Sequence, residues 1–234
     1  MDHNDVDRAL SAQDNLETPS PESLRRIEQS ITKDLRAVRP LLPLSYFFTA
    51  FVGIFVAIVA FGAYRMGAFA ISVMGPFQRA AILCALAASA GLLAYSLVHQ
   101  MVPGSVHRVS PQLLPAGIIV LLLLVIAGLF QVRHDPRFWA HSWACLSAGT
   151  PYALFAVLPF WLLLRRGAIL SPRVTGAATG LLAGLVGTSV LEIHCPNLDL
   201  VHILVGHLGV SVLGAMAGLG IGYLGELAVR RRQK

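Results

Sequence analysis

Charge is scarce in this chain: 13% of its 234 residues are charged, against roughly 25% in an ordinary soluble domain. The shortage is uneven. Residues 1–43 carry fourteen of the thirty charges and the C-terminal Arg230, Arg231, Arg232 and Lys234 carry four more, so only twelve remain for Leu44–Val229. So few charges cannot solvate a surface of that size, which excludes a soluble globular protein. Cysteine is also scarce. Three residues are too few for a disulfide scaffold or an iron–sulfur cluster. The chain opens acidic and polar and meets its first apolar stretch at Leu44, unlike a secretory signal. Its pI near 9.7 would ordinarily raise nucleic-acid binding. The basic excess, however, lies next to apolar spans, where it sets membrane orientation, so no direct nucleic-acid contact is expected.

Six apolar stretches approach or exceed the roughly 18–20 residues that cross a bilayer core of about 30 Å. They fall near Leu44–Tyr64, Ala80–Val98, Leu113–Phe130, Ala144–Leu164, Val174–Ile193 and Leu200–Gly225. Backbone groups cannot go unpaired in lipid, and no ten-residue alternation supports a barrel. The sequence therefore predicts an all-α, polytopic six-helix bundle over residues 44–225, lying in a lipid bilayer. With the N-terminus inside, cytoplasmic segments hold fourteen Lys/Arg and outer segments four. Both termini are expected in the cytoplasm, with residues 226–234 as a basic tail.

The head, residues 1–43, has two parts. Residues 1–20 are acidic and lack aromatics, a composition expected to be disordered. Ser20-Pro21 then reads as a helix start, with a helix expected over about 21–38. Leu24, Ile27, Ile31, Leu35 and Val38 recur at helical spacing and share one face. Such a helix either lies on the membrane interface or offers its apolar stripe to a soluble partner.

Within the bundle, Gly176, Gly180, Gly184 and Gly214, Gly218, Gly222 recur every fourth residue in consecutive spans. They predict a tight hairpin of closely approaching backbones. Pro151 and Pro159 interrupt the hydrogen bonding of the fourth span. Cysteine and histidine collect in the outer layer: Cys145, Cys195, His134, His141, His194 and His202, with Glu192, Asp135 and Asp199 nearby and His207 deeper. A disulfide is permitted on that side of a bacterial cytoplasmic membrane. A transient soft metal on Cys145, Cys195, His194 and His202 is also chemically admissible. No C-x-x-C or H-E-x-x-H spacing supports either, and an inert loop with satisfied histidines accounts for the same residues. Cys84 reads as a buried small apolar residue.

An enzyme finds no support, since nucleophile elbow, zincin motif, paired intramembrane carboxylates and phosphate-cradling loop are all missing. A transporter would carry ionisable groups in several spans, whereas here they cluster near span ends. The competing reading is a metal-responsive membrane sensor or transporter with some other cytoplasmic partner.

Several segments together resemble the negative regulator of sigma F (NrsF) family, six-span bacterial membrane anti-sigma factors. The juxtamembrane Asp34-Leu35-Arg36-Ala37-Val38-Arg39-Pro40-Leu41 is similar to that family's pattern, with Ala37 where proline is common. Trp143-Ala144-Cys145 leading to Leu163-Leu164-Arg165-Arg166-Gly167-Ala168 resembles a second block. His194-Cys195-Pro196-Asn197-Leu198-Asp199 with His202 and His207-Leu208-Gly209 resembles its most distinctive block. The resemblance spans about residues 22–232. It implies a head that sequesters an extracytoplasmic-function sigma factor through Leu24, Ile27, Ile31, Asp34, Leu35, Val38 and Arg39. It also implies that Cys145 and Cys195 sense redox or heavy-metal stress, and that the chain resides in the bacterial inner membrane and acts in transcription regulation.

Overall fold

The computed structural model describes residues 20–34, 43–102, 104–105, 110–133 and 136–232, with the backbone alone at 31–34 and 232. The chain divides into two compact units, Met1–Pro40 and Leu41–Lys234.

The first unit contains helix α1, Pro21–Asp34. The Ser20 hydroxyl accepts the backbone N–H of Ser23 at 3.2 Å, which satisfies one of the orphan donors at the helix start, while Pro21 needs no partner at the first position. Glu22 and Arg26 pair one turn apart at 2.8 Å on the solvated side. Leu24 and Ile27 are 52% and 54% exposed, and Ile31 and Asp34 lie on the same helix. Leu35, Val38 and Arg39, like the acidic start of the chain, fall outside the described residues.

The second unit is a helical bundle. Its elements are α2 (Leu44–Met66), α3 (Phe69–Val73), α4 (Pro76–Gln100), α5 (Leu114–Leu129), α6 (Phe138–Leu164), α7 (Pro172–His194), α8 (Leu200–His202), a π-helical turn (Ile203–Leu208) and α9 (Gly209–Arg232). No strand occurs among the described residues, only an isolated bridge between Gln131 and Asp199. Five spans are long and apolar enough to cross a membrane, the last running continuously over Leu200–Arg231. The sixth apolar helix, α5, has 16 residues, or about 24 Å at 1.5 Å per residue. It starts at Leu114 with Pro115 in its first turn, where the missing N–H leaves no helix hydrogen bond unmade.

Burial sorts the helices. The apolar window of α7 is 83% buried, those of α2 and α6 only 22%. Small residues explain the central place of α7: it is built of Gly, Ala, Ser and Thr among Leu and Val, and carries no acidic group before Glu192. It packs against α9, α6, α2 and α4. Peripheral helices instead turn bulky side chains outward, among them Val56, Phe61, Leu154, Phe155, Leu158 and Trp161, as lipid-facing surfaces do. Cys84 belongs to this outer surface too. The expectation of a buried thiol fails there, because Cys84 is exposed while its neighbour Ile82 faces the core.

The contact between α7 and α9 is backbone on backbone. A Cβ at Gly176 would meet the carbonyl of Gly218, one at Gly180 that of Gly214, and one at Gly184 the Cα of Ser211. Gly222 lies against Pro172 and Arg173 in the same way. A second close crossing joins α6 to α7, where a Cβ at Gly187 would stand 2.5 Å from the Gly149 carbonyl oxygen. Pro151 and Pro159 both lie inside α6, whose helix assignment continues unbroken through them.

Candidate functional site

Three pieces of chain meet at one end of the bundle: the start of α6 with Ser142 and Cys145, the end of α7 with Glu192 and Cys195, and the re-entry into the last span with His202 and His207. Asp199 fixes that re-entry. As the residue before α8 it accepts the His202 backbone N–H at 2.9 Å, a helix cap. Its other carboxylate oxygen accepts the Arg133 N–H at 2.6 Å. The Leu200 N–H donates to the Gln131 carbonyl at 3.0 Å. The loop after α5 is thereby tied to the loop after α7, and His202 is held beneath both.

The π turn decides where His207 points. In an α-helix of 3.6 residues per turn, residues five apart are offset by about 140° around the axis. A π turn bonds i to i+5 and brings them towards one face. His202 and His207 accordingly sit edge to face, with ring centroids 5.1 Å apart. The Thr188 hydroxyl donates to the His207 carbonyl at 2.8 Å. Its single proton is then committed, so the Ser211 hydroxyl, 2.8 Å away, must donate to Thr188. Gly206 lets α6 approach this turn: a Cβ there would stand 3.3 Å from the Cys145 Cβ.

The Cys145 and Cys195 sulfurs lie 3.6 Å apart, and both are free thiols. His202 Nε2 lies 3.4 Å from the Cys195 sulfur, and its Nδ1 lies 3.2 Å from the Ser142 hydroxyl. His207 Nδ1 is 3.0 Å from a Glu192 carboxylate oxygen, with both side chains 1% exposed. The donor atoms of Cys145, Cys195, His202 and His207 all fall within 4.8 Å of one another. Cys195 sits in the loop between spans, and its thiol is held well below its ordinary value. The main cause is the Cys145 S–H donating to its sulfur; burial opposes this, and the His202 contact adds to it. Two thiols beside two imidazoles suit a soft divalent metal, which binds them as thiolates. The same thiol pair also suits oxidation to a disulfide.

Of the metal-ligating residues expected from sequence, Cys145, Cys195 and His202 come together. His194 goes elsewhere: its Nδ1 is 3.3 Å from the Gly67 carbonyl oxygen, and its ring packs on Phe69. The fourth position is filled by His207. Sequence reasoning set it deeper than the outer layer, and a five-residue spacing from His202 is off-face on a regular helix; the glycines at 206 and 209 were the available hint of irregular backbone. Ser142, Gly149, Gly187 and the capping role of Asp199 were likewise not singled out.

A family model described as negative regulator of sigma F, NrsF, matches residues 31–224. The chain belongs to the NrsF family. The match encloses the whole cysteine–histidine cluster and the glycine hairpin, and begins inside α1. No curated protein and no solved structure matches the chain. NrsF membership makes it a negative regulator of a sigma factor, built here on a multi-pass apolar bundle.

Proposed function

We propose that the chain is an inner-membrane anti-sigma factor whose cytoplasmic head sequesters an extracytoplasmic-function sigma factor. Release follows when Cys145 and Cys195, on the outer face, meet an oxidant or a thiophilic metal. The observation that carries this reading is α1: Leu24 and Ile27 are about half exposed on a helix whose other faces carry Arg25, Arg26 and Glu28. An apolar stripe on a charged helix is a docking surface for a groove. In the sequence Ile31, Leu35 and Val38 continue the same spacing, and the charged Asp34 and Arg39 flank it. The fourteen-to-four bias of basic residues assigns this head to the cytoplasm.

The cysteine cluster stands about 30 Å from Arg165, counting twenty residues of α6 at 1.5 Å each. That is the thickness of a bilayer core. Modification of the cluster changes how α6 seats against the α7–α9 hairpin. The α6–α7 loop, whose Ala168 N–H is bonded to the Met101 carbonyl at 3.0 Å, carries the shift to the inner face. Such a signal requires that the modified cluster favour one of two arrangements, since a change compatible with both shifts nothing.

The test is co-purification of the sigma factor with the full chain. Burying a large aliphatic side chain contributes about 1.5–3 kcal/mol, and 1.4 kcal/mol is one decade of affinity. Leu24→Asp/Ile27→Asp and Ile31→Asp/Leu35→Asp are each expected to weaken capture at least tenfold, whereas Glu28→Gln leaves it unchanged. Capture at wild-type yield by both double variants would remove this helix as the binding surface.

A further inference from the structure

We propose that Cys145, Cys195, His202 and His207 form a preorganised tetrahedral site that holds one zinc-type divalent ion, with Glu192 and Ser142 orienting the imidazoles. The inference deepens, and rests on, the reading of this cluster as the sensing site: the species that meets an oxidant or a thiophilic metal is then a metal–thiolate centre.

Geometry supports it first. With Zn–S near 2.3 Å and Zn–N near 2.05 Å, a tetrahedral site has S–S edges of about 3.8 Å and S–N edges of about 3.6 Å. The sulfurs here are 3.6 Å apart and Cys195 Sγ is 3.4 Å from His202 Nε2. Both edges fall within a few tenths of an ångström of that figure.

The histidines supply the second argument. His207 Nε2 is buried and makes no hydrogen bond of good geometry; the ring meets the Cys195 sulfur, and the four ligand groups lie within 4.8 Å of one another. A buried unpaired imidazole nitrogen costs free energy unless something occupies its lone pair. Its opposite nitrogen donates Nδ1–H to Glu192, which fixes the tautomer that leaves Nε2 free to ligate. Carboxylate–imidazole–metal relays are built this way. Ser142 can stand in the same relation to His202: its hydroxyl is 3.2 Å from Nδ1, so with an ion on Nε2 the ring proton would sit on Nδ1 and donate to Ser142. A disulfide pair alone would need neither imidazole, nor a π turn to deliver the second one.

Charge supplies the third. On binding, both thiols lose their protons, and two thiolates with two neutral imidazoles balance one divalent cation. The free Glu192 Oε2, also buried without a partner, sits behind His207, where the cation's field offsets its burial. Cys145 is only partly buried and gives the ion a way in.

The experiment uses the full chain in nanodiscs, reduced, stripped of metal and titrated with Co²⁺ as a spectroscopic probe. One Co²⁺ per chain is expected, with the absorption of tetrahedral thiolate coordination, displaced by Zn²⁺. His207→Gln is expected to weaken binding at least about tenfold and Glu192→Gln about 10–100-fold, while His194→Gln changes nothing. A readout on the wild type alone avoids any question of misfolded variants: saturating Zn²⁺ is expected to protect Cys145 and Cys195 from maleimide. Failure to reach one bound ion per chain at saturating Co²⁺, unchanged affinity in His207→Gln, or absence of protection would each overturn the site. If binding fails while Cys145→Ser still abolishes induction of a sigma-dependent reporter, the ion is excluded and thiol sensing stands. If the ion binds and Cys145→Ser cells still induce, the ion stands and the sensing reading falls.

Discussion

The two ends of α7 are held in opposite ways. At the end that begins with Pro172, Gly176, Gly180 and Gly184 press their backbone against Gly218, Gly214 and Ser211 of α9. The crossing itself is backbone on backbone and admits no added atom; an Arg173–Glu226 ion pair at 2.6 Å closes its outer end. At the other end the buried side chains include Glu192, Cys195, His202 and His207, residue types that can exchange protons, oxidise or ligate. In the reading proposed above, the rigid end makes α7 and α9 the fixed support against which α6 reseats when the variable end changes.

Five substitutions, one of them only in combination, break or sharpen this contrast. The largest effect is expected from Gly180→Leu, whose side chain would have to occupy the place of the Gly214 carbonyl. Ordinary overpacking costs about 1–3 kcal/mol. Here the obstacle is backbone, so no folded monodisperse protein is expected from detergent extracts. Recovery of well-folded protein would show that the hairpin gives way and that the rigid end is not rigid. Next comes His207→Leu, which leaves Glu192 buried and unpaired at about 3–5 kcal/mol. The double change Glu192→Leu/His207→Leu should recover most of that stability, as replacement of a whole buried pair does. Thermal unfolding of both variants checks this, and an equal loss in the double variant would mean that packing, not the pair, is at stake.

Asp199→Ala removes the cap of α8 and the acceptor for Arg133, at about 1–2 kcal/mol. The loss should be confined to the cysteine end, seen as faster hydrogen exchange at residues 131–133 and 199–202 with unchanged protection at 176–184. The smallest effect is Gly220→Ala, a helix position with nothing within 4 Å of the added Cβ. A gain of about 0.4–1 kcal/mol follows from reduced freedom of the unfolded chain. A loss there would mean that α9 makes a contact on its outer face.

The difference between the ends also governs what was legible in sequence. The glycine end could be read directly, because small residues every fourth position in two consecutive spans carry their own register. The cap at Ser20 likewise follows from local chemistry, whereas the helices that start at Pro76 and Pro172 begin ahead of the apolar stretches read from Ala80 and Val174. The cysteine end could be read only as a layer. Depth along six spans puts Cys145, Cys195, His194 and His202 at one level, but which side chains meet depends on helix rotation. His194 turns to Gly67, whose positive φ of 89° bends the chain into α3, a helix with no periodic signal of its own. His207 reaches the cluster because the π turn adds a residue to the regular repeat, and composition does not announce that. The outward face of Cys84 was misjudged for a related reason: in lipid, an apolar thiol is as well placed outside the bundle as within it.

The central claim is that chemistry at Cys145 and Cys195 decides whether the sigma factor is held. The most direct measurement reconstitutes the full chain in nanodiscs with its sigma factor bound and follows release after addition of cadmium or a thiol oxidant. The account predicts release from the wild type and from Cys84→Ser, and an unchanged complex with Cys145→Ser or Cys195→Ser. Release from the Cys145→Ser/Cys195→Ser double variant at the wild-type rate would contradict it.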